Sequence, residues 1–315
     1  MKSVAGIDVS KATLDVYFQG KSQSFSNDAA GHRKLAKWCK KADLFVMEAT
    51  GAYHFALACA LHQEQLPVAV VNPARSCYYA KSRGNRNKTD RVDAKSLAQF
   101  GVAHELELFV PPTQETQLLC RYVRLRSDLV TQRVQNKNRR QEPGISELEC
   151  SMLKAQGEFI DTQIQQIESE IEKAVESSEE LKTSMNLLTS IPGIGEVTAW
   201  TLLAELKDFK RFSSAKKVAA FAGLCPSLRE SGTSLKGHSS LSRQGNRTLR
   251  KCMYMAAIAS IRQANTFQTF YFTLLEKGNT KMAALGAVMH KLIRVAYGVV
   301  KNQTPFTEIA SLTPA

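Results

Sequence analysis

The chain begins with a short apolar run of strand type, VAGIDV, that contains one acid, Asp8. Small and β-branched residues in this pattern predict a buried strand from Ser3 to Val9. A carboxylate within such a run costs free energy unless it is paired, hydrogen-bonded or bound to a cation. The first strand is therefore predicted to belong to a core and to present a charged group to a partner.

The residues that follow predict an alternation of strands and helices. Apolar and polar residues alternate from Ala12 to Phe18, and a third, polar strand is expected around Lys21 to Ser26. The other predicted elements are a helix at 32–41, a strand at 43–49, a helix at 53–65, a strand at 67–71, a loop at 72–89 and a helix at 90–100. This order is typical of a ribonuclease-H-like α/β domain.

Four acids lie at positions in this succession of elements that suit a metal-binding catalytic site. They are Asp8 within the first strand, Glu48 at the end of the fourth, and Asp90 and Asp93 at the start of the last helix. Carboxylate oxygens suit Mg²⁺ or Mn²⁺, and two such ions can activate a nucleophile and stabilise the leaving oxygen in phosphodiester cleavage. The alternative is that each acid caps a helix or forms a local salt bridge. Four acids together in this order favour the metal site.

The formal net charge of +13 indicates a polyanion as partner, because clustered lysine and arginine residues are the usual mark of phosphate binding. The basic residues before Asp90 that we expect to contact nucleic acid are Lys81, Arg83, Arg86 and Lys88. Basic charge also fits membrane-surface binding or simple solubility. No apolar run reaches the roughly 18 residues of a membrane span. The seven cysteines are scattered without metal-binding spacing, which predicts reduced thiols in a cytoplasmic protein with no membrane anchor.

From Gln114 the pattern is helical for a long way. Two apolar stripes are separated by Pro143-Gly144: Leu118, Tyr122, Leu125 and Leu129 form the first, and Leu153, Ile160, Ile164, Ile167 and Ile171 form the second. Two antiparallel helices, a coiled-coil hairpin, are predicted. The following motif, IPGIGEVTA, resembles a helix-hairpin-helix turn that approaches phosphate, and it fits a plain helix connector equally well. Helices at 244–264, 266–277 and 281–300 complete the prediction.

The stretch from Gly223 to Ala257 combines hydroxyl groups with basic residues, and no acid occurs between Glu230 and Glu276. A serine is a poor nucleophile without a base or a metal, and nearby cations stabilise a pentacovalent phosphorus. Ser231 is the leading candidate nucleophile. Composition alone leaves Ser234, Ser239, Ser240 and Ser242 as alternatives, and a loop that only contacts nucleic acid as another. The basic residues expected to bind nucleic acid here are Lys236, Arg243, Arg247 and Arg250.

These segments resemble the DEDD-type insertion-sequence transposases, which are related to the Piv site-specific DNA invertases. The motifs that carry the resemblance are GIDVSKATLDV with Asp8, MEATGAY with Glu48, KTDRVDA with Asp90 and Asp93, IPGIGEVTA, and the ESG and GNRTLR elements around Ser231. The resemblance covers nearly the whole chain. It implies a RuvC-like domain and a C-terminal transposase domain in which Ser231 forms a covalent phosphoserine with cleaved DNA.

The resemblance also implies partners and an assembly. A coiled coil mediates dimers and tetramers in this family, the two half-sites meet across subunits, and some members carry a bridge RNA that pairs with donor and target DNA. We therefore expect donor and target DNA, a bridge RNA and further copies of the chain as partners, with Mg²⁺ or Mn²⁺ as cofactor. The predicted domains are RuvC-like at 1–108, the coiled-coil hairpin at 109–186, and a mainly helical transposase domain at 187–315.

Three other functions compete with transposition. A RuvC-like junction nuclease would need the four acids and the metal but no covalent serine. An RNA-free DNA invertase would need both half-sites and no bridge RNA. A non-catalytic nucleic-acid-binding protein would need only the positive charge, and the complete set of acids argues against it.

Overall fold

The computed structural model describes residues 2–49, 51–83, 90–227, 230–231, 235–236, 240–241 and 244–308. At 90, 91, 227, 230, 231, 235, 236 and 240 the description covers the backbone and not the side chain. The chain divides into two compact units, Met1–Pro111 and Pro112–Ala315. The finer division into three domains at 108 and 186 stays a prediction.

The first unit is built on a five-stranded sheet. Its strands are β1 (Val4–Val9), β2 (Thr13–Phe18), β3 (Lys21–Ser26), β4 (Leu44–Glu48) and β5 (Val68–Val71). They lie in the order β3-β2-β1-β4-β5, with β1 antiparallel to β2 and parallel to β4. The helices are α1 (Ala29–Trp38), α2 (Tyr53–Gln63), α3 (Pro73–Ser82) and α4 (Asp90–Ala103). The predicted succession of five strands is confirmed, and one helix is added to it.

The added helix is α3, which lies in the segment that its composition predicts as a loop. Asn72 caps α3, because its side chain accepts a hydrogen bond from the Ala74 amide at 2.8 Å, and Pro73 occupies the first turn. Tyr79 of α3 packs edge-on against Phe100 of α4 at 5.4 Å between ring centroids. The expectation of a loop is wrong for this helix, since capping and packing outweigh the polar composition.

Alternating side chains sort the two faces of the sheet. Ile7 belongs to a cluster with Leu35 of α1 and Leu57 of α2. Val4 belongs to a cluster on the opposite face with Leu97 of α4. Burial on both faces explains why β1 has a continuous apolar sequence. Even-numbered residues of β1 therefore point to the face that α4 covers.

The second unit is mostly helical. Its helices are α5 (Gln114–Arg139), α6 (Glu147–Glu176), α7 (Glu179–Thr189), α8 (Glu196–Leu206), α9 (Ala215–Phe221), α10 (Arg247–Ser260), α11 (Thr266–Glu276) and α12 (Lys281–Asn302). A 3-10 turn covers Phe209–Arg211. Two-residue strands pair β6 (Pro226–Ser227) with β9 (Ser240–Leu241), and β7 (Glu230–Ser231) with β8 (Leu235–Lys236). Among the described helices, α12 is long and apolar enough to cross a membrane, but it is mostly buried within this unit and serves as a core helix.

Helices α5 and α6 form an antiparallel hairpin. Arg126 pairs with Glu168 at 2.6 Å, and Arg133 pairs with Asp161 at 3.1 Å. These two pairs show that the two helices run in opposite directions. Ser146 starts α6 with a reciprocal capping box, which accounts for the sharp return of the chain.

The apolar stripe predicted for α6 is buried from Ile160 onwards and partly buried at Leu153, whereas the stripe predicted for α5 is partly wrong. Ile160, Ile164, Ile167 and Ile171 are all buried. Leu118 and Leu125 are 39% and 48% exposed, and Leu119 is fully buried instead. The reason is a second neighbour: α5 also packs on α8, where the Cys120 thiol donates to the Ala204 carbonyl oxygen at 2.9 Å. Spacing within one helix does not reveal this second contact.

Candidate active site

Asp8 and Glu48 lie side by side on one face of the sheet. β1 and β4 run parallel with Gly6 opposite Val46, so the same register, two residues later, sets Asp8 level with Glu48. Because side chains alternate along a strand, both acids point to the even-numbered face that α4 covers. Both residues are partly buried.

Gly6 allows α4 to approach β1 closely. A Cβ atom at Gly6 would lie 2.1 Å from the carbonyl oxygen of Ala94, a distance that no side chain can occupy. A Cβ atom at Gly101, further along α4, would lie 2.8 Å from Cγ1 of Val4. α4 therefore runs opposite to β1, and its first turn lies at the Asp8 end of the strand.

The two remaining acids belong to this first turn of α4. Asp93 is partly buried and precedes Ala94, the residue that meets Gly6. Asp90 is the first residue of α4, and its side chain lies outside the described residues. The structure thus brings Asp8, Glu48 and the first turn of α4 to one end of one sheet face.

Two polar neighbours of these acids are absent from the sequence-based prediction. The Ser76 hydroxyl donates to Oε1 of Glu48 at 2.6 Å, from α3. Asp15 on β2 is paired with Asp8 across the antiparallel ladder, and its Oδ1 accepts from the Ser24 hydroxyl at 2.5 Å. The alternation of β2 is enough to place Asp15 on this face. Ser76 had no comparable signal, because its contact with Glu48 depends on the unexpected α3.

The chemistry of this donor set fits a hard divalent cation. All of the side-chain donors are carboxylate oxygens, the ligands that Mg²⁺ and Mn²⁺ prefer. Among the described side chains, a set that leaves out Asp90, no group of three acids, histidines or cysteines is close enough to hold a metal ion. A site with these ligands therefore needs Asp90 or an adjustment of the described side chains.

Two of the four basic residues predicted beside the acids lie within the described residues, and two do not. Lys81 lies in the last turn of α3 and Arg83 caps its end, and both are exposed. Arg86 and Lys88 lie outside the described residues. Both side chains are exposed at the end of α3, and their contact with nucleic acid stays a prediction.

Ser231 lies on β7, where it is paired with Leu235 of β8. The side chains of Ser231 and Lys236 lie outside the description, as do Ser234, Ser239, Ser242 and Arg243 altogether; for Ser240 the description covers the backbone. The structure therefore provides the strand that carries the candidate nucleophile.

The segment after this strand is anchored by close backbone contacts. Gly245, with a φ of 126°, lies against Gly223, and the Asn246 amide donates to the Phe221 carbonyl oxygen at 2.8 Å. The guanidinium of Arg250 approaches the same turn, with Nη1 at 3.5 Å from the Ala222 carbonyl oxygen. Arg250, predicted to bind nucleic acid, thus also has a structural contact.

Arg247, in contrast, is exposed in the first turn of α10. No ion pair joins it to another described side chain, and α10 itself contains no acid. A free cation at the start of a helix is suited to phosphate contact. The structure is therefore compatible with the nucleic-acid role predicted for Arg247.

Glu205 connects this anchor to the helical hairpin. Its side chain is 10% exposed, Oε2 accepts from Nδ2 of Asn246 at 2.6 Å, and Oε1 lies 3.5 Å from Nε of Arg124 on α5. Asn246 in turn caps α10 by accepting from the Leu249 amide at 3.0 Å. Glu205 is not among the residues that the sequence predicts for this site. An acid in the apolar stretch WTLLAEL does, however, indicate a buried carboxylate that needs a partner.

The IPGIGEVTA turn packs tightly against α10. Gly193 has a φ of +89°, and a Cβ atom there would lie 2.5 Å from the Ala256 carbonyl oxygen. Gly195, at the start of α8, has open space around its Cβ position. Gly193 therefore serves helix packing, which favours the connector interpretation of this part of the motif.

Two family models match the chain. Residues 5–142 match the model of DEDD transposases of the IS110 type. Residues 185–272 match the model described as transposase of the IS116/IS110/IS902 family. The first match contains Asp8, Glu48, Asp90 and Asp93, and the second contains Ser231.

Relatives are similar over nearly the full length. The pilin gene-inverting protein of Moraxella lacunata is 32% identical over 97% of this chain and 98% of its own length, and that of Moraxella bovis is 31% identical with the same coverage. The transposase for insertion sequence element IS1328 of Yersinia enterocolitica is 25% identical over 97% of this chain and 99% of its own. With both units matched in this way, the chain belongs to the IS110 family of DEDD transposases and DNA invertases and is a DNA recombinase.

Proposed function

We propose that this recombinase cleaves and rejoins DNA strands through Asp8, Glu48, Asp90 and Asp93 together with a covalent intermediate at Ser231. The observation that carries the proposal is the register that sets Asp8 level with Glu48, beside the first turn of α4. A RuvC-like interpretation of the first unit belongs to the same proposal. The proposal also places the activity in the cytoplasm, at the nucleoid, where the DNA substrate would lie.

The four carboxylates are proposed to hold Mg²⁺ or Mn²⁺. When bound, such an ion supplies Lewis-acid stabilisation to the oxygens of a scissile phosphate. Glu48 is oriented for this task by the hydrogen bond from Ser76, since an outer partner fixes the direction in which a ligand points. Lys81 and Arg83 position the phosphate backbone nearby.

Ser231 is proposed as the nucleophile. Its Oγ forms a bond to phosphorus while the bond between phosphorus and a sugar oxygen breaks. The hydroxyl proton passes to a base, and the released sugar oxygen takes up a proton. Because one phosphoester replaces another, the strand can be rejoined without an external energy source. Lys236, Arg243 and Arg247 are proposed to balance the charge at phosphorus.

The hairpin of α5 and α6 is proposed to bind further copies of the chain as a coiled coil. Large apolar side chains in its distal half are strongly exposed: Leu148 69%, Met152 65%, Phe159 63% and Val134 49%. Asn136 is buried, and its Nδ2 has no hydrogen-bond partner among the described residues. A dimer or tetramer would cover the apolar side chains and offer a partner to this amide.

A bridge RNA is proposed as the guide for transposition, and RNA-free inversion is the second candidate function. Inversion is favoured by the two full-length relatives from Moraxella, which are described as pilin gene-inverting proteins. RNA extracted from the purified protein separates the two candidates. A discrete RNA encoded beside the gene supports guided transposition, and its absence together with recombination by the protein alone supports inversion.

The central experiment is to trap the covalent adduct on DNA that spans the flanks of the gene. The wild-type chain and Glu64→Gln, a change at an exposed acid of the first unit, should both form the adduct when Mg²⁺ is present. Asp8→Asn and Ser231→Ala should form none. Full activity in EDTA would contradict the metal site. An adduct that survives in Ser231→Ala would contradict the serine, and cleavage without any adduct would indicate a junction nuclease.

A further inference from the structure

A groove of about 410 Å³ lies in the second unit between α10 and α12. Its walls are formed by Arg247, Arg250, Lys251 and Tyr254 of α10 and by Met282, Leu285, Gly286 and Met289 of α12. In each helix the four positions are separated by three, one and three residues, so each set lies on one helical face. Leu241 of β9 also lines the groove.

The interior of the groove is apolar. Leu285 and Met289 are only 6% and 4% exposed and form its floor. A Cβ atom at Gly286 would lie 3.4 Å from Cδ1 of Leu241, so a larger residue there would enter the groove. Tyr254 is partly buried and offers an aromatic wall, and Met282 is 65% exposed at the rim. Flat apolar walls of this kind suit a planar ring.

The rim of the groove is cationic. Arg247 and Lys251 are exposed, and neither is joined by an ion pair to any other side chain that the structure describes. The groove is lined by no described acid. In the sequence, Glu276 is the single acid between Glu230 and Glu308. The groove therefore combines an apolar interior with an uncompensated attraction for anions.

We propose that this groove receives one unpaired nucleotide of DNA, with the base between Tyr254 and Met282 and its flanking phosphates on Arg247 and Lys251. Enzymes that do chemistry on a base extrude it from the stack, and proteins that bind unpaired nucleotides hold the bases on aromatic side chains. A duplex is too wide for a groove of this volume. Leu241 is on β9, ten residues after Ser231 in the sequence and on a different strand. We infer from this short separation that a captured base limits which phosphodiester bond reaches the serine. The inference rests on the proposed serine chemistry for this consequence, but not for the binding itself.

The test is a comparison of three labelled duplexes bound by the full-length chain without metal. One has a single bulged thymidine, the second has a bulged abasic residue, and the third is fully paired. Fluorescence anisotropy should show about tenfold tighter binding to the bulged thymidine than to either control, because stacking of one base on an aromatic side chain is worth about that factor. The abasic duplex separates capture of a base from the flexibility of a bulge. Equal affinity for all three duplexes would overturn the proposal.

A matched pair of variants locates the binding. Met282→Glu adds an acid at the exposed rim and should abolish the preference for the bulged thymidine. Met255→Glu adds the same charge at a residue of α10 that is 58% exposed and does not line the groove, and it should leave the preference intact. Tyr254→Leu keeps the charge of the groove and should also reduce the preference, with circular dichroism as the check on folding. A preference unchanged in both Met282→Glu and Tyr254→Leu would overturn the proposal.

Other outcomes separate this inference from the proposed recombination. A chain that forms no covalent adduct but prefers the bulged thymidine contradicts the serine mechanism and leaves the groove as a nucleotide site. A chain that forms the adduct and shows no preference contradicts the groove alone. If Met282→Glu changes the sedimentation of the protein while the DNA preference stays, the groove is an interface between copies and the proposal is wrong.

Discussion

The two units hold their candidate chemistry by different means. In the first unit the hydrogen-bond ladder of the sheet sets Asp8 beside Glu48, and α4 is pressed onto the same face at Gly6. In the second unit the strand with Ser231 has only two residues, and the segment after it is tied down by Asn246 and Glu205. The ladder holds the first site in place through many backbone hydrogen bonds, whereas the second site depends on the hydrogen bonds of a few side chains. The first site should therefore be sensitive to changes in packing, and the second to single side chains.

The largest effect is expected from Gly6→Val, which tests the packing of the first unit. The added side chain collides with the backbone of α4 and must displace it, at a cost of about 1–3 kcal/mol of unfolding free energy. Displacement of Asp93 by about 1 Å should lower the rate of DNA cleavage by on the order of 10²-fold. Urea unfolding and a cleavage assay measure the two effects.

Gly157→Ala is the control for this change, because open space surrounds that position on α6. It should leave cleavage unchanged and stabilise the chain by up to about 1 kcal/mol. Wild-type stability and activity in Gly6→Val would show that the close approach of α4 to β1 is not needed.

The next effect is expected from Ser76→Ala, which removes the hydrogen bond to Glu48 and leaves the sheet intact. The Mg²⁺ concentration for half-maximal cleavage should rise about 10–100-fold, since partners of metal ligands contribute that much to affinity. Ser82→Ala is the matched control on α3, because the Ser82 hydroxyl donates only to the Tyr79 carbonyl oxygen among the bonds described for it. An equal metal requirement in both variants would remove Ser76 from the site.

Glu205→Ala tests whether the second site depends on its side-chain anchor. The change leaves Nδ2 of Asn246 without its acceptor and should lower the unfolding free energy by about 1–3 kcal/mol. The yield of covalent adduct should fall, while the Mg²⁺ requirement stays at its wild-type value. Glu205→Gln keeps an acceptor for Asn246 and should lose less. A shifted Mg²⁺ requirement in Glu205→Ala would show that the two sites are not independent.

The smallest effect concerns pH and a buried histidine of the first unit. Burial lowers the pKa of His32, whose Nε2 lies 2.8 Å from Oδ1 of Asn27. The unfolded chain therefore takes up a proton at a higher pH than the folded chain does, and stability should decrease as the pH falls below about 6.5. The slope of unfolding free energy against pH reports how many more protons the unfolded chain binds than the folded chain. His32→Gln should reduce this difference by up to one proton. In the second unit burial, with Arg294 beside it, lowers the pKa of His290, so His290→Gln should act in the same direction. An unchanged slope in His32→Gln would contradict this account.

Much of the first site follows from local pattern. The apolar run around Asp8, the short strand that ends at Glu48 and the start of α4 at Asp90 are all visible in spacing and residue type. What spacing could not indicate is α3, because its helical character depends on the Asn72 cap and on packing against α4. Because spacing does not indicate α3, it does not indicate the hydrogen bond from Ser76 to Glu48 either.

In the second unit the sequence indicated helices but not their neighbours. Leu118 and Leu125 have the spacing of an apolar stripe and yet are exposed, because α5 packs on α8 as well as on α6. Arg250 has the composition of a DNA contact, and its guanidinium also approaches the Ala222 carbonyl oxygen. Such roles depend on residues distant in sequence.

The sequence by itself determined the succession of strands along the chain, the positions of the four acids in that succession and the resemblance to the transposase family. The reason is that period and residue type are local properties and motifs are linear ones. Only the tertiary structure decided that Asp8 stands level with Glu48, that Ser76 and Glu205 support the two regions, and that α10 and α12 enclose a cationic groove. The physical reason is that register, close approach and burial are set by pairs of elements far apart in the chain. No single segment encodes such a pair.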